Sequence, residues 1–203
     1  MTPLIFIDVE TTGLDPANHS IIQLSGIIKA EGEEREFDFR MAPYKGDRMT
    51  QIAIDKTGLN DDIISTYPDQ TIAYSAFIAL LNEYNIGSSY ANKAHFVGYN
   101  SEFDMRFIRD WFEFNHDTKF GYRFWWPDID VARLAALYLM PSRPTMRGFK
   151  LTDVYSKIFG EVYNGAHDAM SDIIATKRLF EYLTMKMLFD PSKITNSIPT
   201  RKI

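Results

Sequence analysis

With 203 residues, 45% hydrophobic and 14% aromatic, the chain can bury one sizeable core, and 24% charged residues do not suit disorder over the whole length. A net charge of −5 excludes a surface coated in basic residues for duplex nucleic acid, but not a local basic groove beside a cluster of acids. The lack of cysteine excludes disulfides, zinc–thiolate sites and cysteine nucleophiles. No apolar run approaches the roughly 18–20 residues of a membrane span, and the N-terminus lacks a signal-peptide layout, so a cytoplasmic protein is the expectation.

In chain order, residues 3–9 read as a short buried strand, and TTGLDPANHS as a loop marked by Gly13 and the Asp15-Pro16 turn signal. Residues 21–30 and 34–41 read as two more strands around EGEE, which predicts an antiparallel meander. TIAYSAFIALLNEY carries apolar residues at helical spacing, with Thr71 near its start. AHFVGYN predicts a short buried strand, and SEFDMRFIRDWFEF a helix N-capped by Ser101, with Phe103, Phe107, Ile108 and Trp111 on one side. FWWPDID reads as an edge strand because Pro127 would interrupt a central ladder. Three helices follow: DVARLAALYLM, stopped by Pro141; KLTDVYSKIFG, ended by Gly160; and the long run HDAMSDIIATKRLFEYLTMKML. The tail, residues 190–203, loses periodicity and reads as mobile or partner-binding, so the expected organisation is a domain over 1–189 plus this tail. The whole predicts an α/β fold with a mixed sheet.

The first strand raises a chemical question. Asp8 and Glu10 sit among Leu4–Ile7 and Val9, and a buried carboxylate costs several kcal/mol unless something pairs with it. Either Lys or Arg partners arrive from elsewhere in the fold, or the site holds a metal. Asp104, one turn into a helix after a buried strand, and Asp172, early in the last helix, occupy similar places, and His167 precedes Asp172 by five positions. Carboxylates converging without matching cations raise one another's pKa, and hard divalent ions such as Mg²⁺ and Mn²⁺ prefer such oxygen ligands. A neutral His beside a metal-activated water suits a general base. Spacing alone does not bring these residues together.

The motifs FIDVETTGL, VGYNSEFDMRFI and AHDAMSDIIATKRLF, in this order, resemble the three motifs of the DnaQ-like (DEDDh) 3′–5′ exonucleases of the ribonuclease H-like superfamily. The third motif departs slightly, with Ala175-Thr176 beginning three positions after Asp172 rather than four. KTGLNDDII, WPDIDVARLA and KLTDVYSKIFG resemble weaker landmarks, so the likeness runs over roughly residues 3–185. It implies a ribonuclease H-like sheet, an antiparallel meander plus parallel strands flanked by helices. It also implies two divalent ions, Mg²⁺ or Mn²⁺, and release of nucleoside 5′-monophosphates. Residue by residue, Asp8, Glu10 and Asp172 would hold the first ion, Asp8 would bridge to the second, Asp104 would complete its shell, and His167 would be the general base. Thr11 and Thr12, with Leu14 as a wedge, Asn100 and Phe103 would receive the substrate.

The expected partner is a single-stranded 3′ end, DNA ahead of RNA, with a polymerase or a second copy of the chain as candidate protein partners and no membrane. A proofreading subunit that docks through its tail is the competing arrangement, and a catalytically silent nucleic-acid-binding protein the competing class. The intact set of acids and His favours an enzyme. Asp130 reads as an N-cap and Asp168 as a helix-end acid, while the aromatic stripe of Phe103, Phe107 and Trp111 reads as core rather than as a base-stacking surface, and Trp125 and Trp126 are weighed in the same way. The basic segment SRPTMRGFK, with Arg143, Arg147 and Lys150, is a candidate phosphate track.

Overall fold

The computed structural model describes residues 2–163 and 169–189. Strands β1 (Leu4–Thr11), β2 (Ile21–Ala30), β3 (Glu33–Arg40), β4 (His95–Gly98) and β5 (Ile129–Asp130) form one sheet in the order β3-β2-β1-β4-β5. β1, β2 and β3 pair antiparallel, whereas β4 joins β1, and β5 joins β4, in parallel. The predicted meander and the parallel strands are therefore both present, with β1 at the centre.

The helices are α1 (Gln51–Thr57), α2 (Asp61–Ile64), α3 (Gln70–Glu83), α4 (Glu102–Phe114), α5 (Phe120–Arg123), α6 (Val131–Tyr138), α7 (Leu151–Phe159) and α8 (Ala169–Phe189). Period-two alternation along β1 sorts them into two layers. Ile5, Ile7 and Val9 pack with Phe77 and Leu81 of α3 and with Phe107, Trp111 and Phe112 of α4. Phe6 packs on the other face with α6, α7 and α8 through Val131, Val154, Ile173 and Leu179. Asp8 and Glu10 share the parity of Phe6, which turns them toward the α8 layer.

Gly26 shows how tightly the meander is closed. A Cβ there would lie 2.2 Å from the Phe37 ring and 2.5 Å from the Phe6 carbonyl, so no larger residue fits without moving the strands. Gly160, at φ 71°, ends α7 in the left-handed conformation as its place in the sequence predicts.

Several details differ from the sequence expectation: the edge strand expected over FWWPDID is strand only at Ile129–Asp130, with an isolated bridge at Phe124, and α5 falls in an expected loop. Helices α1 and α2 lie in a segment to which the sequence reading assigned no helix. Met140–Thr145 continues past Pro141 as a 3₁₀ turn. Ser101 occupies the N-cap position of α4, but its backbone is helical and its hydroxyl donates to Asp128 instead of capping. The cap expected of Asp130 is present, its Oδ1 accepting from the Ala132 N–H at 2.9 Å. The tail 190–203 lies outside the described residues. Among the described residues no helix is long and apolar enough to cross a membrane.

Candidate active site

The C-terminal end of β1 is where the two layers and the sheet meet. β4 leads through Asn100, held at φ 62°, into α4, and this turn aims Asp104 back at β1, where its Oδ1 accepts the Val9 N–H at 3.0 Å. Asn100 is fixed in turn by its own N–H, which donates to Asp130 Oδ1 at 3.0 Å. Asp172, in the first turn of α8, approaches from the opposite layer and lies within electrostatic reach of Asp8. Three distant segments thus bring Asp8, Glu10, Asp104 and Asp172 to one strand end, as the motif order implies. His167 and Asp168 lie outside the described residues.

The question posed by the two strand acids has a divided answer. Glu10, buried to 4% exposure, is met by Lys56 from the last turn of α1, whose Nζ lies 3.1 and 3.5 Å from its carboxylate oxygens. Asp8 Oδ2 is buried with no hydrogen-bond partner. Of the two alternatives the sequence leaves open, a cation from elsewhere in the fold answers Glu10, and that cation, Lys56, is a residue the sequence did not name. The missed signal was a helix-capping pattern. Thr50 accepts from the Ala53 N–H at the start of α1 and Gly58 closes its end at φ 70°, which puts Lys56 in the final turn. The Thr50 N–H also donates to the Thr12 carbonyl at 2.8 Å, tying α1 to the end of β1. Tyr163 was missed as well and had no sequence signal. Its hydroxyl donates to Asp172 Oδ1 at 2.7 Å.

One lysine does not neutralise four acids. Burial raises the Asp8 pKa well above the ordinary carboxylate range, Asp104 and Glu10 raise it further, and Lys56 opposes them. Burial also pushes Asp104 up to about 7, against the Val9 N–H that favours its charged form. Lys56 loses some basicity to burial, but the attraction of Glu10, Asp8 and Asp104 outweighs this and raises its pKa overall. Among the described residues no three such side chains stand in metal-ligating geometry. Glu10 is drawn to Lys56, Asp104 to the β1 backbone and Asp172 to Tyr163. The donor set is nonetheless all hard oxygen, with one buried carboxylate oxygen lacking a partner, and that fits a divalent cation.

The candidate substrate residues divide. Thr12 is fully buried, its N–H donates to the Ser20 carbonyl at 2.9 Å, and its hydroxyl donates to Asp47 at 2.7 Å. Thr12 therefore shapes the loop rather than presenting a donor to a ligand. Thr11 is buried too, its hydroxyl donating to the Gly13 carbonyl. Leu14, by contrast, projects at 64% exposure. Phe103 is half-buried, packed at 4.9 Å on Phe107. The basic loop is tethered to the α4-leading turn, since the Tyr99 hydroxyl donates to the Phe149 carbonyl at 2.7 Å, and Arg147 and Lys150 are exposed.

Comparison with known proteins identifies the family. The family model described as an exonuclease, RNase_T, matches residues 5–180. The chain is 24% identical over 180 residues to the 3′–5′ DNA exonuclease Cap18 of Escherichia coli, covering 88% of this chain and 90% of that protein. It is 27% identical over 186 residues to the PolC-type DNA polymerase III of Bacillus cereus, covering 92% of this chain but only 11% of the polymerase. Among solved structures, the zinc-bound form of E. coli ExoI in complex with single-stranded DNA superposes with a TM-score of 0.70 at 21% identity, covering 97% of this chain and 42% of that one. The chain belongs to this exonuclease family, the DnaQ-like branch of the ribonuclease H-like superfamily. The family generally uses divalent metals.

Proposed function

We propose that the chain is a metal-dependent 3′–5′ exonuclease that shortens single-stranded DNA and releases nucleoside 5′-monophosphates. The observation that carries this reading is the buried Asp8 Oδ2, left without a hydrogen-bond partner within electrostatic reach of Glu10, Asp104 and Asp172. Such an acid cluster costs stability unless cations fill it. Asp8, Glu10 and Asp172 would hold one Mg²⁺ or Mn²⁺, and Asp8 and Asp104 a second. When bound, such ions lower the pKa of a water and stabilise the leaving oxygen of a phosphodiester. The chain's own residues do the rest. His167 takes the proton of the attacking water. Leu14 wedges against the terminal nucleotide, with the loop behind it braced by Thr12 and Asp47. Arg147 and Lys150, beside the turn that positions Asp104, attract the strand's phosphates.

The test is a time course with matched 5′-labelled single-stranded DNA and RNA in Mg²⁺, Mn²⁺ and EDTA. A ladder shortening from the 3′ end, with DNA consumed faster and nothing cleaved in EDTA, is the expected result. No cleavage of either strand would favour a silent binding protein. His167→Ala is expected to fold with an unchanged melting temperature and to lose roughly 10²–10⁴-fold in kcat. Near-normal turnover would remove His167 from the role of base.

The likeness to PolC-type polymerases supports a second arrangement, in which the domain serves a polymerase. Co-purification with a polymerase, lost on deleting residues 190–203, would identify it.

A further inference from the structure

Trp126, which the site does not use, stands out on the surface, with Trp125 half-buried beside it. Trp126 is 75% exposed and Tyr90, in the turn before β4, 74% exposed. Both rings are unusually open for their size. Tyr90 and Trp125 meet edge-on, centroids 4.8 Å apart at 90°. The Lys93 ammonium is held over both, 4.9 Å from the Tyr90 centroid and 5.1 Å from that of Trp125. Lys93 makes no ion pair with any described carboxylate, so the cluster presents aromatic faces and an uncompensated positive charge.

The ribbon that carries these rings is pinned at both ends. At one end the Trp125 N–H donates to the Ala94 carbonyl, and the Ala94 N–H to the Arg123 carbonyl, each at 2.9 Å. At the other end Asp128 accepts from the Ser101 hydroxyl and Asp130 from the Asn100 N–H. Those two contacts reach the same turn that aims Asp104 into the acid cluster. Trp126 lies four residues before Asp130, across a bend at Trp126 and Pro127, so the two are at most about 13 Å apart at ~3.3 Å per residue. A strand whose 3′ end entered the acid cluster could therefore lay nucleotides farther toward its 5′ side along this ribbon.

We infer that Tyr90, Lys93, Trp125 and Trp126 form a stacking platform for single-stranded nucleic acid, upstream of the end being processed. This rests on the exonuclease reading for its place on the substrate. Bases of any sequence stack on aromatic faces, and Lys93 supplies a cation for the adjoining phosphate, which suits a site without base preference. An acidic peptide or anionic lipid surface could also use the rings and the ammonium. What favours a nucleic-acid strand is the ribbon's attachment to the turn that aims Asp104 into the acid cluster.

The test is equilibrium binding of an oligothymidine of about 16 nucleotides, the upper end of single-stranded site sizes, in EDTA so that nothing is cleaved. Intrinsic tryptophan fluorescence and anisotropy of a labelled strand report binding. Trp126→Ala and Tyr90→Ala should each weaken binding at least about tenfold at an unchanged melting temperature. Trp126→Phe, which keeps an aromatic face, should recover most of the loss. Lys93→Gln should lower the slope of log affinity against log salt by about one. In Mn²⁺, turnover of a trinucleotide too short to reach the platform should be the same for the native chain and all four variants. Unchanged affinity for the long strand in the alanine variants would overturn the platform and leave the nuclease reading standing. Platform-dependent binding without any trinucleotide turnover would support the platform and count against the nuclease reading.

Discussion

Replacing Asp8 by Asn is expected to abolish turnover and, in the same protein, to raise the melting temperature measured in EDTA. The two effects have one cause. Asp8 Oδ2 is buried without a hydrogen-bond partner, and burial together with Asp104 and Glu10 works against its ionised form. Removing the charge while keeping the shape relieves that repulsion and turns an acceptor into a donor that Asp104 or Glu10 can use. A buried polar atom left unsatisfied costs about 1–3 kcal/mol, so a gain of this order is expected in the metal-free protein. At about 2–4 °C per kcal/mol for a domain of this size, it is readily seen by calorimetry. Activity moves the opposite way, because Asp8 is the carboxylate both proposed ions share. The loss should exceed the roughly 10²–10⁴-fold expected of a general base. A lower melting temperature in EDTA would mean that Asp8 supports the fold rather than straining it. Turnover close to the native level would remove it from the metal site.

The sequence carried the strands better than the helices that flank the site. The runs on either side of the EGEE turn placed β2 at residues 21–30, where the strand lies, and the aromatic stripe of α4 is indeed core, with Trp111 and Phe107 buried. The convergence of Asp8, Glu10, Asp104 and Asp172 was legible only through motif order, since no local pattern states that β1, α4 and α8 end at one point. Lys56 escaped because α1 has seven residues, too few to show an apolar period, and only its caps betray it. Ser101 shows the limit of local capping rules, because a nearby carboxylate, Asp128, competes for its hydroxyl. Asp47 reaches Thr12 and Ser20 from 35 and 27 residues away along the chain, which no spacing rule spans.

The second large effect is a metal-induced stabilisation that grows with pH. The direction follows from the folded-state values. Asp104 is held at about 7 against an ordinary 3.8, and Asp8 is raised well above the same reference, so between these limits the folded chain keeps protons that the unfolded chain has already lost. Stability then falls with rising pH: the contribution of Asp104 is least favourable above about pH 7, where it is forced to ionise, and Asp8 acts in the same direction. Lys56 does not offset the trend in this window. Its raised pKa adds stability that is fully present below its ordinary 10.5 and is lost only in alkali. Mg²⁺ or Mn²⁺ needs the ionised carboxylates, so it must displace those protons at low pH but binds without that competition at high pH. Melting temperatures in EDTA should therefore decline from about pH 5 to about pH 8, while the Mn²⁺-induced increase widens over the same range. A free ion at about 100 times its Kd adds about 2.7 kcal/mol. Calorimetry in buffers of different ionisation heat should show more protons released on Mn²⁺ binding near pH 6 than near pH 8, as Asp104 ionises between them. An Mn²⁺ shift that does not change with pH would mean the acids are ionised before the metal arrives, and that Lys56 balances them more fully than its pairing with Glu10 implies.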